Sequence, residues 1–185
     1  KKVLIDPDVL KTLPQRQISS GLAEAIKMAL TSDRELFSIL ERGNISENLD
    51  EIIVRSLKIK KSVVEQDEKE AGLRKVLNFG HTVGHGIESS SGMSELYHGE
   101  CVALGMIPMC STSVKKRLIP VLQRNSLPTE WRGGLGRAIS YAHHDKKRTS
   151  GGVDAIFVPD VGKYEIKNIS LDEFEKHAKN AFNQQ

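Results

Sequence analysis

Along the chain, apolar and polar positions alternate mostly with helical period. From Ser19 to about Leu40, Leu22, Ile26, Ala29 and Leu30 recur at that spacing without a proline, and Ser19 or Ser20 can serve as N-cap, which predicts one helix. A second is predicted from about Ser46 to Gln66, where Leu49, Ile53, Leu57 and Val64 trace one face and Lys60 completes the stripe. A third begins near Asn78 and carries His81, Val83, His85 and Ile87. Gly80, Gly84, Gly86 and Gly92 each lower its propensity by about 1 kcal/mol relative to alanine, so close approach of its backbone to a ligand, an ion or another helix is expected.

A fourth helix is predicted from Tyr97 to about Lys116, kinked or broken by Pro108. Pro120, Asn125 to Pro128 and Arg132-Gly133-Gly134 read as turns between short helices. Val153 to Val158 and Lys163 to Ile166, joined by Pro159-Asp160-Val161-Gly162, read as a β-hairpin. A final helix starts at Leu171, with Ser170 and Glu173 placed as a capping box. No strand-helix-strand alternation builds a parallel sheet, and no repeat is visible. The fold class is therefore mainly α with one small hairpin.

Composition narrows the partners. The 185 residues hold 27 Lys plus Arg against 24 Asp plus Glu, a net charge of +3 spread evenly, which gives no support for nucleic-acid or membrane-surface binding. Hydrophobic content of 38% suits one core, so a single domain over 1–185 is expected. No apolar run approaches the roughly 20 residues that cross a bilayer. Cys101 and Cys110 lie in an apolar stretch without metal-type spacing and read as buried thiols. These features predict a soluble, cytoplasmic protein. Because the first residue is Lys1, the sequence reads as processed or cut from a longer polypeptide.

Three of the six histidines, His81, His85 and His98, fall close together among glycines and apolar residues. His81 and His85 stand at i and i+4, which puts two imidazoles on one helix face, as in the His-Glu-x-x-His zinc proteases. Thr82 occupies the Glu position, so a protease reading fails on its own motif, and a hydrogen-bonded core pair is the ordinary alternative. Lys60 either snorkels to solvent or reaches into a polar cavity. Glu24 and Lys27, at i and i+3, are either a surface ion pair or a ligand carboxylate beside a substrate-facing lysine. Arg74-Lys75 and His144 to Arg148 are solvated surface by default, although phosphate or carboxylate sites use the same side chains. Neither GxGxxG after a strand nor GxxxxGK[ST] is present, and Gly133-Gly134-Leu135-Gly136 matches neither.

Taken in order, the motifs resemble the 3-dehydroquinate synthases of the shikimate pathway, and the resemblance spans nearly the whole chain. They are Asp6-Pro7, Thr12-Leu13-Pro14, Gly21-Leu22-Ala23-Glu24-Ala25-Ile26-Lys27, Asp67-Glu68-Lys69-Glu70-Ala71-Gly72-Leu73-Arg74, Leu77-Asn78-Phe79-Gly80-His81-Thr82-Val83-Gly84-His85, His98-Gly99-Glu100 and Asp145-Lys146-Lys147. The resemblance implies that Glu24, His81 and His98 hold a metal, normally zinc with cobalt as a substitute. It makes His85 a proton-handling group rather than a ligand, against the spacing argument. Lys27 would meet substrate hydroxyls, Lys60 and Arg74 the substrate carboxylate, and Asn78 and Lys146 the phosphate. A strand and turn at Val9, Leu10, Lys11 and Thr12 would touch NAD+.

The implied reaction converts 3-deoxy-D-arabino-heptulosonate 7-phosphate to 3-dehydroquinate and phosphate, through transient oxidation by NAD+, elimination, reduction and an intramolecular aldol step. The family's N-terminal dinucleotide-binding domain is not in this sequence, so the chain resembles the C-terminal half, expected to bind metal weakly and not to turn over alone. A homodimer is expected by resemblance only. Rival readings are another sugar-phosphate cyclase of the deoxyinosose or valiolone type, a metal-dependent polyol dehydrogenase, and a non-catalytic helical interaction module.

Overall fold

The computed structural model describes residues 3–91, 96–133 and 152–183. The chain enters through a 3₁₀ turn, Pro7–Thr12, capped by Asp6, whose carboxylate accepts from the Asp8 amide. Helix α1 (Gln15–Ser32) is the central element. Its apolar positions Leu22, Ile26, Ala29 and Leu30 are all buried, as their spacing predicts. The helix predicted to run on to Leu40 instead ends at Asp33, where the backbone turns extended and the carboxylate accepts from the Glu35 and Leu36 amides to cap α2 (Arg34–Arg42). An aspartate that satisfies two orphan amides starts a new helix more readily than it continues an old one.

Helix α3 (Leu49–Gln66) lies across α1, but its buried residues are Ile52 and Val63. Leu57 is 40% exposed and Lys60 is also exposed, so the stripe expected to face the core is instead the wall of an open cleft. The region expected to begin a helix at Asn78 is a 3₁₀ turn, Leu73–Asn78. Gly80 then takes a left-handed φ of 78°, which glycine adopts without strain, and α4 (His81–Ser91) follows.

The fourth predicted helix is divided at Pro108 into α5 (His98–Met106), a 3₁₀ turn (Ile107–Met109) and α6 (Thr112–Arg124). Every residue of α5 after His98 is buried. Pro120, expected in a turn, sits inside α6. It is tolerated because it and Lys116, whose carbonyl loses its amide partner, both face solvent, while Leu118, Val121 and Leu122 point inward.

Strands β1 (Val153–Asp160) and β2 (Lys163–Ile169) form the predicted hairpin, antiparallel in register from Val153 opposite Ile169 to Phe157 opposite Glu165. The Gly162 amide donates to Leu30 and the Ser111 amide to Val158, tying the hairpin to α1 and to the start of α6. Helix α7 (Leu171–Asn183) closes the chain, with the Glu173 amide donating to the Ser170 hydroxyl at 3.2 Å. Phe37, Phe79, Phe174, Ile26, Leu104 and Leu118 fill the core between these layers.

The glycines that weaken α4 have a packing reason. A Cβ on Gly84 would lie 3.0 Å from the Cys101 carbonyl oxygen, and one on Gly105 would lie 1.9 Å from the Gly80 carbonyl oxygen. Helices α4 and α5 therefore touch backbone to backbone. That contact brings the first residues of two helices, His81 and His98, to one place.

Candidate metal centre

Three elements supply the cluster. Glu24 and Lys27 come from α1, His81 and His85 from successive turns of α4, and His98 from the first position of α5. The ring centroids of His81 lie 5.3 Å from those of both His85 and His98, and His85 to His98 is 5.7 Å. Glu24 Oε1 stands 3.8 Å from His81 Nε2 and 3.9 Å from His98 Nε2. This oxygen is shut off from solvent and has no hydrogen-bond partner, although the side chain as a whole is 38% exposed. A buried carboxylate oxygen without a donor is costly unless a cation completes it.

The donors are oriented for that role. His81 Nδ1 lies 3.1 Å from the Phe79 carbonyl oxygen, which assigns the proton to Nδ1 and turns the Nε2 lone pair toward Glu24. His98 Nδ1 is backed at 3.4 Å by Glu88 Oε2, leaving its Nε2 on the same side. Ligand atoms of a tetrahedral zinc site with Zn–N of about 2.0–2.1 Å stand about 3.4 Å apart, so the separations of Glu24 Oε1 from the two Nε2 atoms, 3.8 and 3.9 Å, exceed that spacing by about half an ångström. Two imidazoles and a carboxylate suit zinc or cobalt and leave coordination positions open. One nitrogen from each of His81, His85 and His98 also lies within 4.8 Å of the others, so by distance His85 is a candidate donor together with the other two rings.

The ionisation states follow from burial. Lys27 is 2% exposed and donates to Glu24 Oε2 at 2.6 Å, so the ammonium end of this part-buried pair is shut off from solvent, unlike an ordinary surface ion pair. Burial pushes the Lys27 ammonium down, Glu24 offsets only part of this, and the nearby Lys60 charge adds to it. For Glu24, burial opposes the charge, but Lys27, then His81 and His98, outweigh it and hold the carboxyl below its usual range. Burial and the Lys27 charge push the His81 imidazole down to about 4. Burial also lowers His85, aided by His98 and Lys27. Both rings are neutral at neutral pH, the form that donates lone pairs.

A cleft of about 400 Å³ opens beside this cluster between α1 and α3, walled by Leu22, Ile52, Ile53 and Leu57, with Glu24 and Lys60 among its polar residues. A larger cavity of about 730 Å³ lies between the Pro7–Thr12 turn and the residues around Ile45, and contains none of the histidines. Lys60 is thus a solvated ammonium lining a cleft. Arg74 Nη1 donates to the Glu68 carbonyl and Asn78 Nδ2 to Glu70 Oε1, so both are engaged within their own segment. Asp67 organises that segment by accepting from the Ala71, Gly72 and Arg74 amides. Val9, Leu10, Lys11 and Thr12, expected as strand and turn, form the 3₁₀ turn instead, because Asp6 and Pro7 favour a helical start. Lys146 and the His144 to Arg148 cluster lie outside the described residues.

A family model for the 3-dehydroquinate synthase C-terminal domain matches residues 21–148, well over half of the chain. The chain belongs to this family. Its relatives include the 3-dehydroquinate synthase of Synechocystis, 41% identical over 94% of this chain, and that of Streptococcus thermophilus, 36% identical over 95%; each is 54% covered. This 3-dehydroquinate synthase-family chain thus spans about half the length of the curated relatives it matches. Among solved structures it is similar to a 2-epi-5-epi-valiolone synthase from Streptomyces hygroscopicus with NAD+ and Zn2+ bound. That match has a TM-score of 0.86 at 23% identity, covering 98% of this chain and 56% of the other. A 2-deoxy-scyllo-inosose synthase complexed with carbaglucose-6-phosphate, NAD+ and Co2+ matches with a TM-score of 0.73 at 18% identity, covering 95% and 55%. At these identities the likeness shows a shared fold alone.

Sequence reading missed Glu88, Arg16 and a role for Glu100. Glu88 was legible: it follows His81 by seven residues and His85 by three, so it shares their helix face.

Proposed function

We propose that these 185 residues form one domain, the metal- and substrate-binding C-terminal half of a 3-dehydroquinate synthase. The whole enzyme would convert 3-deoxy-D-arabino-heptulosonate 7-phosphate to 3-dehydroquinate and phosphate. The observation that carries the reading is the solvent-shielded, unpartnered Glu24 Oε1 facing the two Nε2 atoms at 3.8 and 3.9 Å. In this reading Glu24, His81 and His98 hold a divalent ion, which supplies Lewis acidity beside the ring hydroxyls of the substrate. Lys27 keeps Glu24 ionised through Oε2, and the remaining N–H groups of its Nζ orient those hydroxyls. His85, neutral and one turn along from His81, accepts a proton at a ring nitrogen facing the same space.

Lys60, which lines the cleft, would meet the substrate carboxylate. Arg74 and Asn78 exchange their contacts with Glu68 and Glu70 for the substrate carboxylate and phosphate, with Lys146 joining the phosphate. Holding both ends makes each later step unimolecular. NAD+ would be bound mainly by the N-terminal half of the enzyme, with Val9 to Thr12 at its margin. The shikimate-pathway reading is supported by the 36–41% identity to 3-dehydroquinate synthases. A soluble cytoplasmic homodimer is part of the same proposal.

The test is turnover by the full-length protein of the heptulosonate phosphate beside other sugar phosphates, with metal analysis and Glu24→Ala. Release of phosphate from the heptulosonate substrate alone, lost in Glu24→Ala together with the metal, is expected. Preference for a heptulose 7-phosphate or glucose 6-phosphate would move the chain to another cyclase class. Full activity of the 185 residues alone would overturn the half-enzyme reading.

A further inference from the structure

Helix α1 faces the start of α5 with a stripe at every fourth residue: Arg16, Ser20 and Glu24. Each meets a different atom group there. Arg16 Nε and Nη2 donate to Glu100 Oε1 and Oε2, both at 2.7 Å, a bidentate fork, and its guanidinium carbon lies 4.3 Å above the Tyr97 ring centroid. The Ser20 hydroxyl accepts from the Gly99 amide at 3.1 Å. Glu24 faces His98 Nε2.

His98 is therefore pinned on both sides along the backbone. The Tyr97 amide before it donates to Glu100 Oε2 at 2.8 Å, and the Gly99 amide after it donates to Ser20. Glu100, only 5% exposed, is both the clamp's anchor and the cap of the helix that His98 begins. A Cβ on Gly99 would sit 2.0 Å from the Ser20 carbonyl oxygen, so no side chain intervenes between the two helices at this point. The distance from Glu24 to His98 is set by this docking, since the two residues belong to different helices.

We infer that Arg16 and Glu100 are positioning residues for the candidate metal centre: their fork, with Ser20, fixes α5 on α1 and so holds His98 at ligand distance from Glu24. This rests on the metal reading above. The fork touches neither the ion nor the substrate; it acts through the His98 backbone. Loss of such outer contacts typically weakens metal binding by about 10–100-fold.

The experiment uses the full-length protein loaded with Co2+, reading its dissociation constant against a chelator and its visible absorption band. Glu100→Gln keeps the size and an acceptor for the Tyr97 amide while removing the charge; Arg16→Met alters the partly exposed end of the pair, so a folded variant is retained if Glu100→Gln fails to fold. Arg34→Met, which removes a pair to Asp160 on the hairpin, is the control for general loosening. Both fork variants should bind Co2+ at least tenfold more weakly with a shifted band, the double variant should be no worse than the weaker-binding single, and Arg34→Met should match the parent. Unchanged affinity and spectrum in folded fork variants would overturn the inference while leaving the metal reading intact. If the parent binds no Co2+, or binds it equally after Glu24→Ala, the metal reading itself fails and takes the inference with it.

Discussion

Lys27 and Glu24 show how one contact can serve two ends. The ammonium satisfies Oε2 and, by its charge, adds to the burial that holds the His81 imidazole low, while Oε1 is left facing the Nε2 atoms of His81 and His98. Lys27→Met leaves Glu24 without its donor while keeping the stem's packing. It should lower stability by about 1–3 kcal/mol, read from urea denaturation, the range for stranding one partner of a charged hydrogen bond. His98→Ala removes a proposed ligand whose ring is part-exposed, so it should abolish tight metal binding by equilibrium dialysis yet shift the thermal midpoint of the metal-free protein little.

At the scale of elements, the site depends on backbone contact between helices. Gly99→Ala places a methyl against the Ser20 carbonyl, and the misfit should cost about 3 kcal/mol or more and weaken metal binding at the same time, because α5 can relieve it only by moving away from α1. Asp33→Ala makes the contrast. It removes the cap of α2 and one contact of Arg55, and should lower the denaturation midpoint by about 1–2 kcal/mol equivalent while leaving metal affinity unchanged. A change of metal affinity in Asp33→Ala would show that general loosening, rather than the α1–α5 contact, controls the centre.

Across the whole molecule, several carboxylates tie distant segments together and are held below their usual range. For Asp154 the causes are Asn168 and Lys75; for Glu41, hydrogen bonding to Arg117 outweighs burial; for Glu100, Arg16 and the Tyr97 amide outweigh burial. Asp67 is lowered by the amides of Arg74, Gly72 and Ala71. A carboxylate with a depressed folded pKa gives stability that is fully present above its unfolded pKa of about 4 and is lost as pH falls through the folded value. The urea midpoint of the metal-free protein should therefore begin to fall below about pH 6.5, where His81 protonates when unfolded while the folded ring, held at about 4, does not, and should fall further below about 4 as these carboxylates protonate, with Asp154→Asn showing a shallower decline than the parent in that lower range.

Residue types at short range were legible without coordinates. The helical period predicted the buried face of α1, alternation with Pro159 to Gly162 predicted the hairpin, and Ser170 with Glu173 predicted the start of α7, because each depends on neighbours within a few positions. Glu24, Lys27, His81, His85 and His98 could likewise be singled out as chemistry-bearing types. What tertiary structure alone decided was how the elements meet. The stripe through Lys60 is as apolar as the face through Ile52 and Val63, and only docking against α1 chose which to bury. Pro120 reads as a breaker until its solvent-facing position is known. The convergence of Glu24 with two imidazoles, and the fork from Arg16 to Glu100 across 84 positions, exist only where helices touch through glycine. Sequence fixes which groups are available within a turn or two; packing fixes which of them share a space, since that depends on contacts between residues remote along the chain.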